Sequence, residues 1–175
     1  ALPICRLNKV KGCHEIIEAV KILRDKGIKI NFYMVGDGKE KEHLISLIKE
    51  YSLEEQIYIL GIKRNPFIWL KNAKAFAHAS YGEGLPNVLI EAGSFGIPLL
   101  GTDINGCNEI IINNQNGLLV KMKDEESLYN GIEQLVNDKE FYNGIKNNVR
   151  KSIVERYSQD YFYSQLYQEF SKLKI

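Results

Sequence analysis

Apolar positions recur along the chain in two alternating rhythms. Between residues 13 and 26, Ile16, Ile17, Val20 and Leu23 follow the i, i+1, i+4, i+7 spacing of one helix face. Gly27 comes where a chain leaving a helix turns left-handed. Residues 28–35 (IKINFYMV) predict a buried strand, and Gly36-Asp37-Gly38 a turn. The rhythm then repeats. Leu44, Ile45, Leu47, Ile48 and Tyr51 predict a helix over 40–51, and IYIL predicts a short strand over 57–60 that ends at Gly61. Asn65-Pro66 opens a helix through Ala73, because Asn caps well and Pro suits the first helical position. Strands are predicted over 74–79, 97–101 and 117–120. A helix from Pro86 to Phe95 lies between the first two and is stopped by Gly96 and Pro98. Residues 107–112 read as a short helix or turn. Helices at about 124–137, 139–151 and 159–173 follow, with Ser158 as cap of the last.

Strands separated by single helices pair in parallel through right-handed crossovers. The expected fold class is α/β: a doubly wound, mainly parallel sheet of about six strands with helices on both faces. The first of those strands is Ala1-Leu2-Pro3-Ile4-Cys5, apolar and without a polar lead-in. It reads as the cut end of a strand, so residues 1–175 are expected to be one domain of a longer polypeptide. In such sheets ligands bind at the carboxyl ends of strands.

Composition narrows the chemistry. Lys+Arg is 23 and Asp+Glu 22, a net charge of +1, which gives no bulk case for nucleic acid. No apolar run approaches the ~20 residues of a membrane span. Cys5, Cys13 and Cys107 are odd in number and form no CxxC, and His14, His43 and His78 show no ligand spacing. Small buried thiols in a reducing cytosol are expected, with neither a disulfide framework nor a zinc site.

Two phosphate motifs fail. Gly36-Asp37-Gly38 resembles the start of a dinucleotide fingerprint, but the third glycine position holds Lys41, where close helix–sheet packing wants no side chain. A dehydrogenase is disfavoured, and the glycines read as a tight turn. No GxxxxGK followed by Ser or Thr exists, which excludes a P-loop.

The stronger segment runs from Ser80 through EGLPNVLIEA, between a strand and a helix at the sheet's carboxyl edge. Gly84 permits close backbone approach to a ligand. The amides of Leu85, Asn87 and Val88 precede the first intrahelical acceptors and, with the helix dipole, favour an anion. Glu83 and Glu91 beside an anion site suit a ligand that also carries hydroxyls. A nucleotide sugar has both. Taken singly, each Glu reads as well as a solvated loop acid or a helix-start charge. Arg6 and Lys11, in the loop after the first strand, can flank a diphosphate. Alone they read as an exposed basic loop.

Together these residues resemble the carboxyl-terminal domain of family 4 glycosyltransferases with the GT-B fold. The resemblance runs in order through Arg6-Leu7…Lys11-Gly12, Val35-Gly36-Asp37-Gly38, Ile59-Leu60-Gly61, Asn65-Pro66, Glu83-x7-Glu91, Glu109-Ile110-Ile111 and Asn116-Gly117-Leu118-Leu119-Val120. It implies a Rossmann-like, donor-binding half of a retaining enzyme that transfers a sugar from a nucleotide diphosphate sugar, UDP-linked by preference, to a glycan or lipid-linked acceptor in bacterial surface polysaccharide synthesis. In that role Arg6 and Lys11 neutralise the leaving diphosphate, the amides of Leu85, Asn87 and Val88 add to it, and Glu83 holds donor-sugar hydroxyls. Glu91 accepts the ribose hydroxyls, and Gly61-Ile62 borders the base. The resemblance implies no cofactor and no required metal, the nucleotide sugar being a co-substrate. It also implies an amino-terminal acceptor domain of the same polypeptide, absent from these residues, and a cytoplasmic location, peripheral at the inner face of the membrane.

Two positions depart from the family pattern: Cys5 stands where glycine is usual, and Gly93 weakens the helix that carries Glu91. Two alternatives stay open, a nucleotide-binding module without turnover and a nucleotide-sugar epimerase of the same fold. The last helix places Phe162, Leu166, Phe170 and Leu173 on one face. That face is expected to pack on the sheet, or else to meet the absent domain.

Overall fold

The computed structural model describes residues 4–172. After a short 3-10 turn at Lys9–Lys11, helices and strands alternate: α1 (Cys13–Asp25), β1 (Phe32–Val35), α2 (Lys41–Glu50), β2 (Ile57–Gly61), α3 (Phe67–Asn72), β3 (Phe76–His78), α4 (Asn87–Ser94), β4 (Leu99–Thr102), α5 (Cys107–Ile110) and β5 (Gly117–Val120). The helices α6 (Glu125–Asn137), α7 (Lys139–Tyr157) and α8 (Gln159–Lys172) complete the described chain.

Every strand pairing is parallel. β1 pairs with β2, and β3, β4 and β5 form a second ladder in that order. The expectation of about six strands in one sheet is corrected here: the described residues give five strands in two hydrogen-bonded sheets. Of the expected first strand, Ile4 forms a single parallel bridge to Val35. Residues 1–3 of that strand lie outside the described residues.

Side chains alternate across a strand, and this builds two cores. Phe32 and Met34 of β1, Ala77 of β3, Leu100 of β4 and Leu118 and Val120 of β5 face α1, α2 and α6. Val35, Phe76 and Leu99 face the opposite way, toward α3, α4, α5 and α7. Helices therefore cover both faces, as in a doubly wound fold.

Strand starts differ from expectation because helix-closing residues look like strand residues. Ile28 N–H donates to Leu23 O at 2.9 Å, with Gly27 left-handed at φ +79°, so Ile28 closes α1 and β1 begins only at Phe32. Ile97 N–H likewise closes α4 onto Ala92 O, and β4 starts only at Leu99. The helix α7 runs six residues past the expected end. Ile153, in that extension, is buried against Gly93 of α4. A Cβ on Gly93 would lie 2.5 Å from Ile153 Cγ1. The glycine that weakens α4 locally is what lets α7 pack on it.

The expectation that the last helix packs on the sheet fails. No described residue of α8 is buried, and Phe162, Tyr167 and Phe170 are 62%, 77% and 60% exposed. Leu173 lies outside the described residues. No described helix is long and apolar enough to cross a membrane.

Candidate functional site

The site begins with a loop that hydrogen bonds hold to another loop seventy residues earlier. Tyr81 N–H donates to Val10 O at 2.7 Å and Ser80 Oγ to the same oxygen at 3.0 Å. From the other side, Thr102 Oγ1 of β4 donates to Ser80 O at 2.5 Å. Tyr81 Oη donates to Glu15 of α1. These bonds fix the Ser80–Glu83 loop against the Asn8–Lys11 turn and bring Lys11 to Glu83, where Lys11 Nζ and Glu83 Oε1 are 2.5 Å apart.

His78 ends β3, is 2% exposed, and places Nε2 2.9 Å from the same Glu83 oxygen. An ionised carboxylate only accepts, so Nε2 carries the proton. The hydrogen bond from His78, then those from Lys11 and Ser80, outweigh the desolvation of Glu83 and bring its carboxyl down to about 2. Glu83 is a fixed anion bridging a buried imidazole and a lysine.

A cavity of about 410 Å³ opens over this group. Arg6, Lys11, Glu83, Leu85, Asn87 and Val88 line it together with His78, Cys5 and Asn8. The helix α4 starts after Pro86 with no side-chain cap. Its leading amides therefore lie in the wall that also carries Arg6 and Lys11, so a cationic and amide-rich wall faces one carboxylate. That arrangement can hold an anion and a hydroxyl-bearing group side by side.

Four expected residues do not line this cavity. Glu91 is half-buried a turn into α4, and burial alone raises its carboxyl above the usual range. Gly61 ends β2 and Ile62 follows it on the same sheet edge, where Gly61 O accepts from Gly36 N–H at 3.0 Å and Ile62 is 79% exposed. Gly84 is exposed, and a Cβ there would meet no described protein atom. The tight contact in this loop is instead at Gly106, whose Cβ would fall 2.2 Å from Gly84 O.

The Gly36-Asp37-Gly38 turn has a packing reason. A Cβ on Gly36 would lie 1.8 Å from Cys5 O, and one on Gly38 2.1 Å from Leu7 O. Both glycines let the Arg6 loop cross over the turn. Lys41 pairs with Asp37 at 2.9 Å. The Cys5 side chain turns toward Cys13, Sγ to Sγ 3.7 Å, and its carbonyl is the part that crowds Gly36.

A larger cavity, about 500 Å³, lies elsewhere. Ile30, Asn31, Lys74 and Ala75 place it at the amino ends of β1 and β3, and none of the expected site residues line it. Ligands of doubly wound sheets bind at the other edge. Among the described residues no cluster of three or more His, Cys, Asp or Glu could hold a metal ion.

Residues 1–152 match the family described as Glycosyl transferases group 1. The chain belongs to the group 1 glycosyltransferases. It is 32% identical, over 150 residues, to the N-acetylgalactosamine-N,N'-diacetylbacillosaminyl-diphospho-undecaprenol 4-alpha-N-acetylgalactosaminyltransferase of Campylobacter jejuni, covering 85% of this chain and 40% of that protein. Its fold is that of HepE of Anabaena, solved with UDP, at TM-score 0.88 and 23% identity over 98% of this chain and 48% of HepE. It is also similar to a variant of Staphylococcus aureus TarM, solved with Fondaparinux, alpha-GlcNAc-glycerol and UDP. There the TM-score is 0.85 and the identity 25%, over 95% of this chain and 34% of TarM. The chain spans 40% of the Campylobacter relative and under half of both solved structures.

Within this group 1 glycosyltransferase chain, His78 is the residue that sequence reasoning passed over. Its signal was position: it ends a strand five residues before Glu83, on the edge where ligands bind.

Proposed function

We propose that this chain is the donor-binding half of a retaining glycosyltransferase. It takes a nucleoside diphosphate sugar, UDP-linked, and the whole enzyme passes the sugar to a glycan or lipid-linked acceptor in bacterial surface polysaccharide synthesis. One observation carries the reading: Arg6, Lys11 and the uncapped start of α4 share a single cavity wall with Glu83. Cations and amides there suit a diphosphate, and the carboxylate suits sugar hydroxyls. The names of relatives support it. The Campylobacter protein is a glycosyltransferase for a diphospho-undecaprenol acceptor, and TarM and HepE were solved with UDP.

On this reading Arg6 and Lys11 take up the charge that builds on the leaving diphosphate, which is preorganised electrostatic stabilisation. The amides of Leu85, Asn87 and Val88 share that load. Glu83, held ionised by His78, orients sugar hydroxyls at the reacting carbon. Glu91 accepts ribose hydroxyls and Gly61-Ile62 borders the base. An amino-terminal domain of the same polypeptide completes the acceptor site, and the enzyme works in the cytoplasm at the inner face of the membrane.

Isothermal titration of the chain with UDP, GDP and ADP tests the donor. UDP is expected to bind tightest, with the Asn87 amide shifting in parallel NMR spectra. Tighter binding of a purine diphosphate overturns the uridine assignment, and a diphosphate that leaves Asn87, Arg6 and Lys11 unmoved overturns the site.

A further inference from the structure

A second cavity, about 400 Å³, opens beside the first. Its walls are Lys9 of the loop before α1, His14 of the first turn of α1, His43 and Glu40 at the start of α2, and Lys123 just before α6. These residues stand where helices begin, and Tyr81 of the loop after β3 joins them, so the cavity faces the same carboxyl edge of the sheet as the Glu83 pocket. Its size falls within the ~300–1,000 Å³ range of small-molecule sites.

Its chemistry favours an anion. Two lysines and two imidazoles line it against one carboxylate, Glu40. Two acids stand behind this wall, each with a hydroxyl partner: Glu15 accepts from Tyr81 Oη, and Glu18 accepts from Tyr51 Oη at 2.6 Å while lying 4.0 Å from His14 Nε2. The helix α1 starts at Gly12 with no side-chain cap, and the Cys13 and His14 that open it are in the cavity wall. The dipole end of a thirteen-residue helix therefore adds to the side-chain charge.

Asn8 lines both cavities. Its Oδ1 is buried and meets no hydrogen-bond donor among the described residues. A buried acceptor without a partner is costly, and a hydroxyl arriving from a ligand would satisfy it. Asn8 thus marks the wall between two ligands that lie side by side.

We propose that this second cavity is an anion subsite that receives the acidic group of the acceptor, a phosphate or carboxylate carried on a sugar. The word acceptor rests on the donor reading of the Glu83 pocket; the anion site does not. The two occupants then lie on either side of Asn8, close enough for the acidic group to anchor an acceptor whose hydroxyl reaches into the donor pocket.

NMR of the labelled chain separates the possibilities, with glucose 6-phosphate, glucuronate and glucose as probes and UDP in a separate titration. Both anionic sugars are expected to shift the His14 and His43 ring signals and glucose to leave them unmoved, the tighter of the two acids naming the anion. The double variant Lys9→Gln, Lys123→Gln is expected to weaken that binding about tenfold or more while leaving the UDP shift at Asn87 unchanged. Glucose binding as well as the acids, or shifts confined to Arg6 and Lys11, overturns the anion subsite. No response to any sugar while UDP binds overturns it too and leaves the donor reading standing. Response to the acids without any to UDP keeps the anion site and overturns the donor reading, and the acceptor assignment with it.

Discussion

Replacing His78 with Phe keeps a ring in the buried slot beside Phe76, 6.5 Å away between centroids, and removes the donor to Glu83. The drop of the Glu83 carboxyl from 4.5 to about 2 corresponds to roughly 3 kcal/mol at ~1.36 kcal/mol per pH unit. The Glu83 side chain is 13% exposed and lines an open cavity, so solvent screens part of this. His78 is the largest of three contributors, which gives it about 1–2 kcal/mol, in line with a hydrogen bond to a charged group. A folded-state value below the unfolded one means that the stabilisation is complete above pH ~4.5 and fades as pH falls toward ~2. His78→Phe is therefore expected to lower Tm by a few degrees at neutral pH. Its deficit against the parent should shrink steadily with acid. The Glu83 carboxyl, followed by carbon-13 NMR, should titrate nearer 4.5. His78→Gln, which keeps an N–H, should recover part of both effects. A Glu83 titration identical in parent and His78→Phe would refute the reasoning. So would a Tm deficit that is the same at pH 3 and pH 7, because it would report lost packing.

Other substitutions probe other levels of the structure. Arg6→Ala, at an exposed position in the cavity wall, should leave Tm unchanged and weaken UDP about ten- to a hundredfold by titration calorimetry. Gly93→Val should cost about 1–3 kcal/mol in urea unfolding by driving α7 from α4, and Ile153→Ala added to it should restore part of the loss. Asp124→Ala removes the acceptor for Ser127 N–H at the start of α6 and should cost about 1 kcal/mol in the same assay.

Element types were legible wherever a run was long and periodic, as in α1, α2 and α6. Boundaries were less so, because Ile28 and Ile97 are apolar, β-branched and next to strands, yet their amides close helices. The end of α7 was hidden by its solvent face. Beyond Lys151 the charges of Glu155 and Arg156 masked it, while Ile153 is buried and Arg156 donates to the carbonyls of Glu109 and Ile110. For α8 the amphipathic pattern gave an apolar face but not what covers it. The cavity residues Arg6, Lys11, Glu83, Leu85, Asn87 and Val88 were legible because each lies where a strand gives way to a loop or a helix begins. His78 was not, since a lone histidine inside an apolar strand is indistinguishable from core until the fold brings Glu83 to it. Glycines at 36 and 38 carry the same letters in a dinucleotide site and in this turn. What separates the two is the carbonyl that crosses them.

The Lys11–Glu83 pair gives the pocket an internal counter-ion. An arriving diphosphate does not meet a bare ammonium; it competes with a carboxylate for one. Once Lys11 turns to phosphate, Glu83 keeps the His78 N–H but loses its cation, and on the proposed reading the hydroxyls of the donor sugar take that place. Donor binding is then an exchange in which both halves of the pair are re-partnered. The spent nucleotide, without its sugar, leaves Glu83 wanting its lysine back. On the proposed reading, the same contact that holds the site ready also ejects the product.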